Sequence, residues 1–427
     1  MIEHELRQFL MAVVTLLAAA HFTGYLFERF GLPRVIGEIT GGLLVGKTGL
    51  GHLSPAAYDY LFRSFEAEEK LLSALYWMGL ILLMFVSGFS LERGSRRSEH
   101  RLILVLAVMT TIFPFVAGWA ATNYVDFSAF MGPAGNGLAL SLVVAIAVAV
   151  TSIPVISRIF LDLGISGSRF ARNVLSIAVA HDIVLWGALA VATGLVSTSA
   201  PTPTLIGFII GKTILFFVIS LSIGPSLLSR LSGARFNLVR KASPVGWVLV
   251  VCFLLAALAS VLEVNVVFGA LVAGLLFGGT DDGALEQVKS RIRDFSFAFF
   301  IPFYFAMVGL KLDLVNELDL AFTLAFLAFC TICQMTTTLA GARMAGRGWL
   351  SAFNYGVAMN ARGGPGIVLA TVALETGIID GTFYSTLVLL AVSTSLAAGV
   401  WFRHLAVRRF DFDADDRPQT KRQAIRP

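Results

Sequence analysis

A few polar residues stand in stretches of this chain that are otherwise apolar. His181 and Asp182 lie in Ala178-Val179-Ala180-His181-Asp182-Ile183-Val184-Leu185-Trp186, with no other charge within a helical turn. Thr151-Ser152-Ile153-Pro154 interrupts one apolar run, and Asn360-Ala361-Arg362-Gly363-Gly364-Pro365-Gly366 interrupts another. A carboxylate at the centre of a bilayer costs at least about 2.5 kcal/mol, so it needs a partner or a task. On one reading Asp182 is half of a structural pair, with His181 or with Arg362. On the other it is a carboxylate that holds a proton and a monovalent cation in turn, the metal being Na+ or K+ on Asp182. Unwound backbone at Thr151 and Ser152 then supplies the oxygen ligands that a small hard cation prefers. Arg362 is placed to offset the partial negative charge where half-helix carbonyl ends meet.

Other polar residues make weaker candidates. Lys212, about eight residues into its apolar run, reads as a snorkelling or paired lysine. Glu38 lies five residues past Pro33 and reads as close to the interface, and His21 as a hydrogen-bonded core histidine. Cys330-x-x-Cys333 matches a redox spacing but has no charged neighbour to favour a thiolate, so it reads as helix packing. With only three cysteines in the chain, no disulfide framework is expected.

The elements that must position these residues follow from composition. Of 427 residues, 57% are hydrophobic and 14% charged, and mean hydropathy is +0.81. Soluble domains carry about 25% charged residues, and so few charges cannot coat the surfaces of the several domains this length would otherwise imply. The chain is therefore read as an all-α polytopic membrane protein. Apolar runs of about 20 residues span a bilayer. They fall at 8–28, 33–50, 71–91, 102–122, 138–163, 171–197, 204–229, 244–262, 264–279, 295–311, 319–342, 350–374 and 382–402, which makes about 13 transmembrane helices. The acid-containing start and the length of the first run do not fit a cleavable signal. Residues 1–409 form the membrane domain, and 410–427 a short polar tail.

Charge placement tests the count. With the N-terminus outside, 25 of the 32 Lys and Arg residues fall in cytoplasmic segments and five outside (Arg7, Lys47, Arg63, Lys70 and Lys311), while Lys212 and Arg362 lie within apolar runs. That asymmetry follows the positive-inside rule and gives an outside N-terminus and a cytoplasmic C-terminus in the cell membrane. The net charge of +5 is thereby absorbed by topology, and no nucleic-acid partner is expected. An odd count also divides into repeat one (8–197), a linker helix (204–229) and repeat two (244–402), which begin on opposite sides as inverted repeats do. The fifth span of each repeat carries one of the two breaks. At about 1.5 Å rise per residue, Thr151 lies roughly 20 Å from the outer face, Arg362 about 18 Å from the inner face, and His181-Asp182 about 16 Å deep. In a core of about 30 Å all three fall near the midplane.

These residues also carry a family resemblance. GLPRVIGEITGGLLVG (31–46), GLILLMFVSGFSLE, TSIPVISRIFLDLGI, VAHDIVLWGALAV, IPFYFAMVGLKLDL and GVAMNARGGPGIVLA occur in order over nearly the whole chain. Together they resemble the monovalent cation:proton antiporters, specifically their second subfamily. The resemblance implies two crossed broken helices at the site, at Thr151, Ser152 and Pro154 and at Asn360, Arg362, Gly363 and Gly364. It further implies an essential ion-binding aspartate at Asp182, and a homodimer. Two positions depart from the family pattern. The residue before the aspartate, usually Asp, Asn or Gln, is His181. A lysine that electrogenic members carry in the eleventh span aligns on Thr338, with Gln334 one turn earlier.

The expected function is secondary active antiport of Na+ or K+ against protons by alternating access, electroneutral because neither a second carboxylate nor that lysine is present. His181 either carries a proton or only hydrogen-bonds like the amide it replaces. A sodium-coupled symporter of an organic anion would need more polar residues near the breaks, and a non-transporting sensor or channel-like subunit would need a signalling domain. No metal-ligand spacing, nucleophile–base pair or phosphate loop supports an enzyme, and no cofactor is implied beyond the transported ions.

Overall fold

The computed structural model describes residues 3–90, 100–152, 155–156, 159–160, 163–165, 168–196, 203–233, 237–262, 264, 266–278 and 283–407. Regular structure among them is helical, and the single β-type contact is an isolated bridge between Met131 and Ile379. In chain order the helices are α1 (Glu3–Arg29), α2 (Arg34–Val45), α3 (Pro55–Phe62), α4 (Glu68–Ser90), α5 (His100–Tyr124), α6 (Gly137–Ala149), α7 (Arg169–Val196) and α8 (Pro203–Gly233). They continue as α9 (Leu238–Ala242), α10 (Pro244–Val261), α11 (Val266–Gly278), α12 (Gly283–Phe295), α13 (Ile301–Lys311), α14 (Leu320–Met344), α15 (Trp349–Asn360), α16 (Gly363–Glu375) and α17 (Gly381–Val407).

Each of the thirteen apolar runs holds a helix. Nine helical stretches among the described residues are long and apolar enough to cross a membrane, and shorter apolar helices fall in three further runs. The run at 350–374 is two helices, α15 and α16, as the glycines and proline at its centre require. The run at 138–163 is interrupted at Val150, whose ψ of 140° is extended, and residues 155–156 and 159–160 are helical again. Residues 153 and 154, hence Pro154, lie outside the described residues. The run at 295–311 begins earlier than hydropathy indicates, since α12 passes through a π-helical turn at Ser296–Phe300 directly into α13. The amphipathic α12 is too polar to appear as a span.

The two halves repeat the same packing relations. α1 packs on α2 as α10 packs on α11; α2 packs on α13 as α11 packs on α4; α5 packs on α6 as α14 packs on α15. Glycines set the two equivalent crossings. A Cβ on Gly42 or Gly309 would meet backbone across the α2–α13 contact, and one on Gly88 or Gly274 would do so across the α4–α11 contact. Small residues let membrane helices approach this closely. Close packing divides the helices into two bundles. One holds α1–α4 and α10–α13, the other α5–α7 and α14–α17, while α8 touches both through α7 and α11.

Candidate functional site

The second bundle contains the crossing of the two interrupted segments. After α6 ends at Ala149, residues 150–152 run extended and meet the break between α15 and α16. Ser152 N donates to Ala361 O at 2.6 Å, and Thr151 Oγ1 donates to Met359 O at 2.6 Å. Both side chains are fully buried. Gly363, which opens α16, has φ +37°, and a Cβ there would lie 2.3 Å from Val155 Cγ2 and 2.7 Å from Ser152 Oγ. Glycine is thus required twice, by the dihedral and by the space. On the next helix, Thr394 Oγ1 accepts from Arg362 N at 3.3 Å and Ser395 Oγ from Gly363 N at 2.9 Å, so α17 caps the start of α16.

Arg362 fills the crossing. It is 1% exposed, and its guanidinium meets five acceptors. Nε donates to Ala147 O at 3.1 Å, and Nη2 to Val148 O at 3.0 Å and Cys330 O at 3.1 Å. Nη1 donates to Asn360 O at 3.0 Å and to Asn360 Oδ1. Ala147 and Val148 close α6, and Asn360 closes α15, so the positive charge sits where two half-helix C-termini converge. A guanidinium carries five N–H donors in all. The acceptors at 147, 148, 330 and 360 engage all five.

A second polar row runs from α7 through α5 to α14. His181 is fully buried, and its Nε2 hydrogen-bonds Thr110 Oγ1. The single hydroxyl proton of Thr110 goes to Leu106 O at 2.6 Å. Thr110 Oγ1 therefore accepts from His181 Nε2–H, which leaves Nδ1 of the neutral ring unprotonated. Nδ1 has no hydrogen-bond partner among the described residues. The Thr110 carbonyl accepts from Gln334 Nε2 at 3.4 Å, and Thr338 Oγ1 donates to Gln334 O at 2.6 Å. Gln334 lies one turn along α14 from Cys330, whose carbonyl binds Arg362, so α14 walls both rows. Asp182 follows His181 in α7; its side chain lies outside the described residues.

A family model described as "Sodium/hydrogen exchanger, transmembrane" matches residues 15–408. The chain belongs to the sodium/hydrogen exchanger family. Among curated relatives, it is 26% identical over 401 residues to the Na(+)/H(+) antiporter NhaS4 of Synechocystis sp., covering 90% of this chain and 93% of that one. It is 25% identical over 395 residues to the Na(+)/H(+)-K(+) antiporter GerN of Bacillus cereus, covering 91% and 94%. Among solved structures, the sodium proton antiporter MjNhaP1 of Methanocaldococcus jannaschii superimposes with a TM-score of 0.62 at 16% identity, over 94% of this chain and 99% of that one. The polytopic helical fold is shared with that exchanger, and the exchanger family is one of membrane transporters.

The crossing in this exchanger gathers Thr151, Ser152, Asn360, Arg362 and Gly363, while Thr110 joins His181 to Gln334 and Thr338. Lys212 stands apart on α8, its Nζ 5.8 Å from the Phe208 ring centre. Glu38 is more enclosed than its place near a span end implies: it is 3% exposed and paired with Arg34 at 3.1 Å. His21 bonds Arg34 through Nδ1 at 2.8 Å and Ala298 O through Nε2 at 3.0 Å. Cys330 and Cys333 are free thiols. Sequence reasoning passed over Thr110, Thr394 and Ser395. In the sequence they show only as hydroxyls inside apolar spans.

Proposed function

We propose that this protein exchanges a monovalent cation, Na+ or K+, for protons by alternating access, with Asp182 as the site that the two ions share. The observation that carries this reading is the saturation of Arg362. Its charge offsets the carbonyl ends at the crossing, which supports reading the carboxylate beside His181 as the seat of a mobile ion. The hydroxyl oxygens of Thr151 and Ser152, beside an extended backbone, have the ligand chemistry that a desolvated monovalent cation requires. Asn360, Arg362 and Gly363 hold the crossing open, and Gly364 and Pro154 belong to the helix-breaking sequence on either side. His181, fixed as the Nε2–H tautomer by Thr110, lines the same depth with a bare nitrogen, and Gln334 and Thr338 modulate it from α14.

One carboxylate per site supports a one-for-one, electroneutral exchange. Membership of a family of membrane transporters supports an ion site at these residues rather than an enzyme's active site, with no organic cofactor in the proposed cycle. The lysine and arginine asymmetry supports an outside N-terminus and cytoplasmic C-terminus in the cell membrane. The chain divides into repeat one at 8–197, the linker helix at 204–229 and repeat two at 244–402, one packed bundle moves against the other, and the protein works as a homodimer.

Proteoliposomes carrying a pH gradient and a pH-sensitive dye test the reading. Addition of Na+ or K+ dissipates the gradient with the wild-type protein and not with Asp182→Asn. If neither cation dissipates it, or if the variant matches wild type, the reading fails. Repeating the assay under a membrane-potential clamp checks electroneutrality, since a one-for-one rate does not respond to the potential.

A further inference from the structure

The two bundles touch along one face of α13. Tyr304, Val308 and Lys311 recur at the i, i+4, i+7 spacing of a single helical stripe, and each meets the other bundle. Tyr304 Oη lies 3.4 Å from Thr371 Oγ1 of α16. Tyr384 Oη of α17 donates to Val308 O at 3.2 Å. Lys311 Nζ forms an ion pair with the Glu375 carboxylate at the end of α16. The ammonium also sits 4.3 Å from the ring centre of Tyr76 on α4, and that ring stacks on Tyr304 at 5.1 Å. Tyr76, Tyr304 and Tyr384 are buried, while the side chains of Lys311 and Glu375 are 24% and 30% exposed. The row is dry along its length and wet at its tip. At the opposite end of the molecule the bundles meet through an exposed contact, Arg403 Nη1 to Phe30 O at 2.6 Å.

We propose that Lys311 and Glu375 form an outer latch between the two bundles, closed while the ion site faces the cytoplasm and opened each time it faces outside. This inference rests on the alternating-access reading above. Motion of α16 and α17 past α13 cannot expose the crossing to the outer side without parting this stripe, because the contacts lie between the crossing and the outer end of both helices. The ion pair is the member of the row that water can solvate when it parts. It therefore sets the balance between the two orientations, while the tyrosines give the closed state its fit.

The test uses the full-length protein in membrane vesicles of defined orientation. Lys311→Gln and Glu375→Gln remove the pair, and the swap Lys311→Glu with Glu375→Lys restores it reversed. A binding-competent state that is a minor fraction weakens apparent affinity by that fraction. Loss of the pair therefore lowers the KM for cation on the outer face about three- to fivefold and raises it on the inner face less than twofold, and the swap returns both toward wild type. An unchanged outer KM in the single variants, or a swap that behaves like them, overturns the latch. The wild type and Asp182→Asn serve as controls, so absence of wild-type exchange counts against the antiport reading and not against the latch. Joining Lys311→Cys to Glu375→Cys with a short bis-thiosulfonate reagent gives a second readout. Exchange stops and returns on reduction if the latch must open, and continued exchange in the joined protein overturns it.

Discussion

Arg362 Nη2 lies 3.0 Å from the carbonyl oxygen of Val148, a residue 214 positions earlier in the chain. Through that contact the second interrupted segment neutralises the C-terminal end of a helix belonging to the first. A half-helix that stops inside a bilayer leaves its last carbonyls without intrahelical partners, and no water in the core replaces them. Arg362 meets this need for α6 and α15 together, and it takes Cys330 O of α14 as well. The crossing is thus fastened by a buried cation whose partners among the described residues are dipoles.

Arg362→Lys tests that arrangement. An ammonium has three donors at a point, whereas the guanidinium presents five in a fixed fork. Lysine at this position abandons at least two of the five acceptors, which are the backbone oxygens of 147, 148, 330 and 360 and Asn360 Oδ1. Each buried group left unpaired costs about 1–3 kcal/mol. The substitution is expected to lower the thermal unfolding midpoint of the detergent-purified protein markedly and to reduce exchange more than tenfold. Retention of both the midpoint and the rate would show that charge alone, without the fork, suffices.

Gly363→Ala and Gly364→Ala separate two neighbouring glycines. At Gly363 a methyl meets Val155 Cγ2 and Ser152 Oγ at less than 3 Å, in a backbone conformation that L side chains rarely adopt. At Gly364 an added Cβ meets nothing within 4 Å. Left-handed strain costs about 1–3 kcal/mol for a non-glycine residue, before the clash is counted. Gly363→Ala is expected to lose most exchange activity and several degrees of unfolding temperature, with Gly364→Ala close to wild type in both. Equal behaviour of the two variants would contradict the geometry.

Much of this was legible in the sequence, for a physical reason. Lipid penalises a charge or a helix break far more than water does, so Asp182, Arg362 and the 360–366 cluster stand out against apolar neighbours without any structure. The matched positions of the two breaks also pointed to helix pairs that pack alike in the two halves. What hydropathy could not supply was partnership. Thr110 and Thr394 look like ordinary hydroxyls in apolar spans, because their importance lies in which carbonyl, ring nitrogen or amide they meet across helices. The five-acceptor shell of Arg362 was equally hidden, since four of the five acceptors are backbone oxygens that every residue owns. The helical start at α12 and the burial of Glu38 were not visible in hydropathy, because at span ends polarity and burial no longer track each other.

Thr110→Val should expose the value of one such hydroxyl. Valine matches threonine in shape but leaves His181 Nε2–H with no acceptor in a fully buried position. The expected cost is about 1–3 kcal/mol, read as a lower unfolding midpoint, together with reduced exchange because the ring is free to change tautomer. Thr110→Ser retains the hydroxyl and should preserve both. If valine and serine behave alike, the ring is held by something other than this bond.

Proton number per cation is open to a direct measurement on the same vesicles. If one carboxylate serves both ions, a protonated Asp182 cannot bind Na+ or K+, and the cation must displace a single proton. Mass action at one shared site then makes the apparent KM for cation rise as pH falls, with a limiting slope of about tenfold per pH unit on the acid side. On the alkaline side, where the carboxylate is already ionised, KM becomes independent of pH. A second obligatory proton, on His181 or elsewhere, would steepen the acid limb toward about a hundredfold per unit. The steeper limb, joined with a rate that responds to an imposed membrane potential, would overturn electroneutral exchange and make the histidine a carrier in its own right. A limb of slope one in both wild type and His181→Gln would instead confine the shared chemistry to Asp182, with the ring serving only to shape its surroundings.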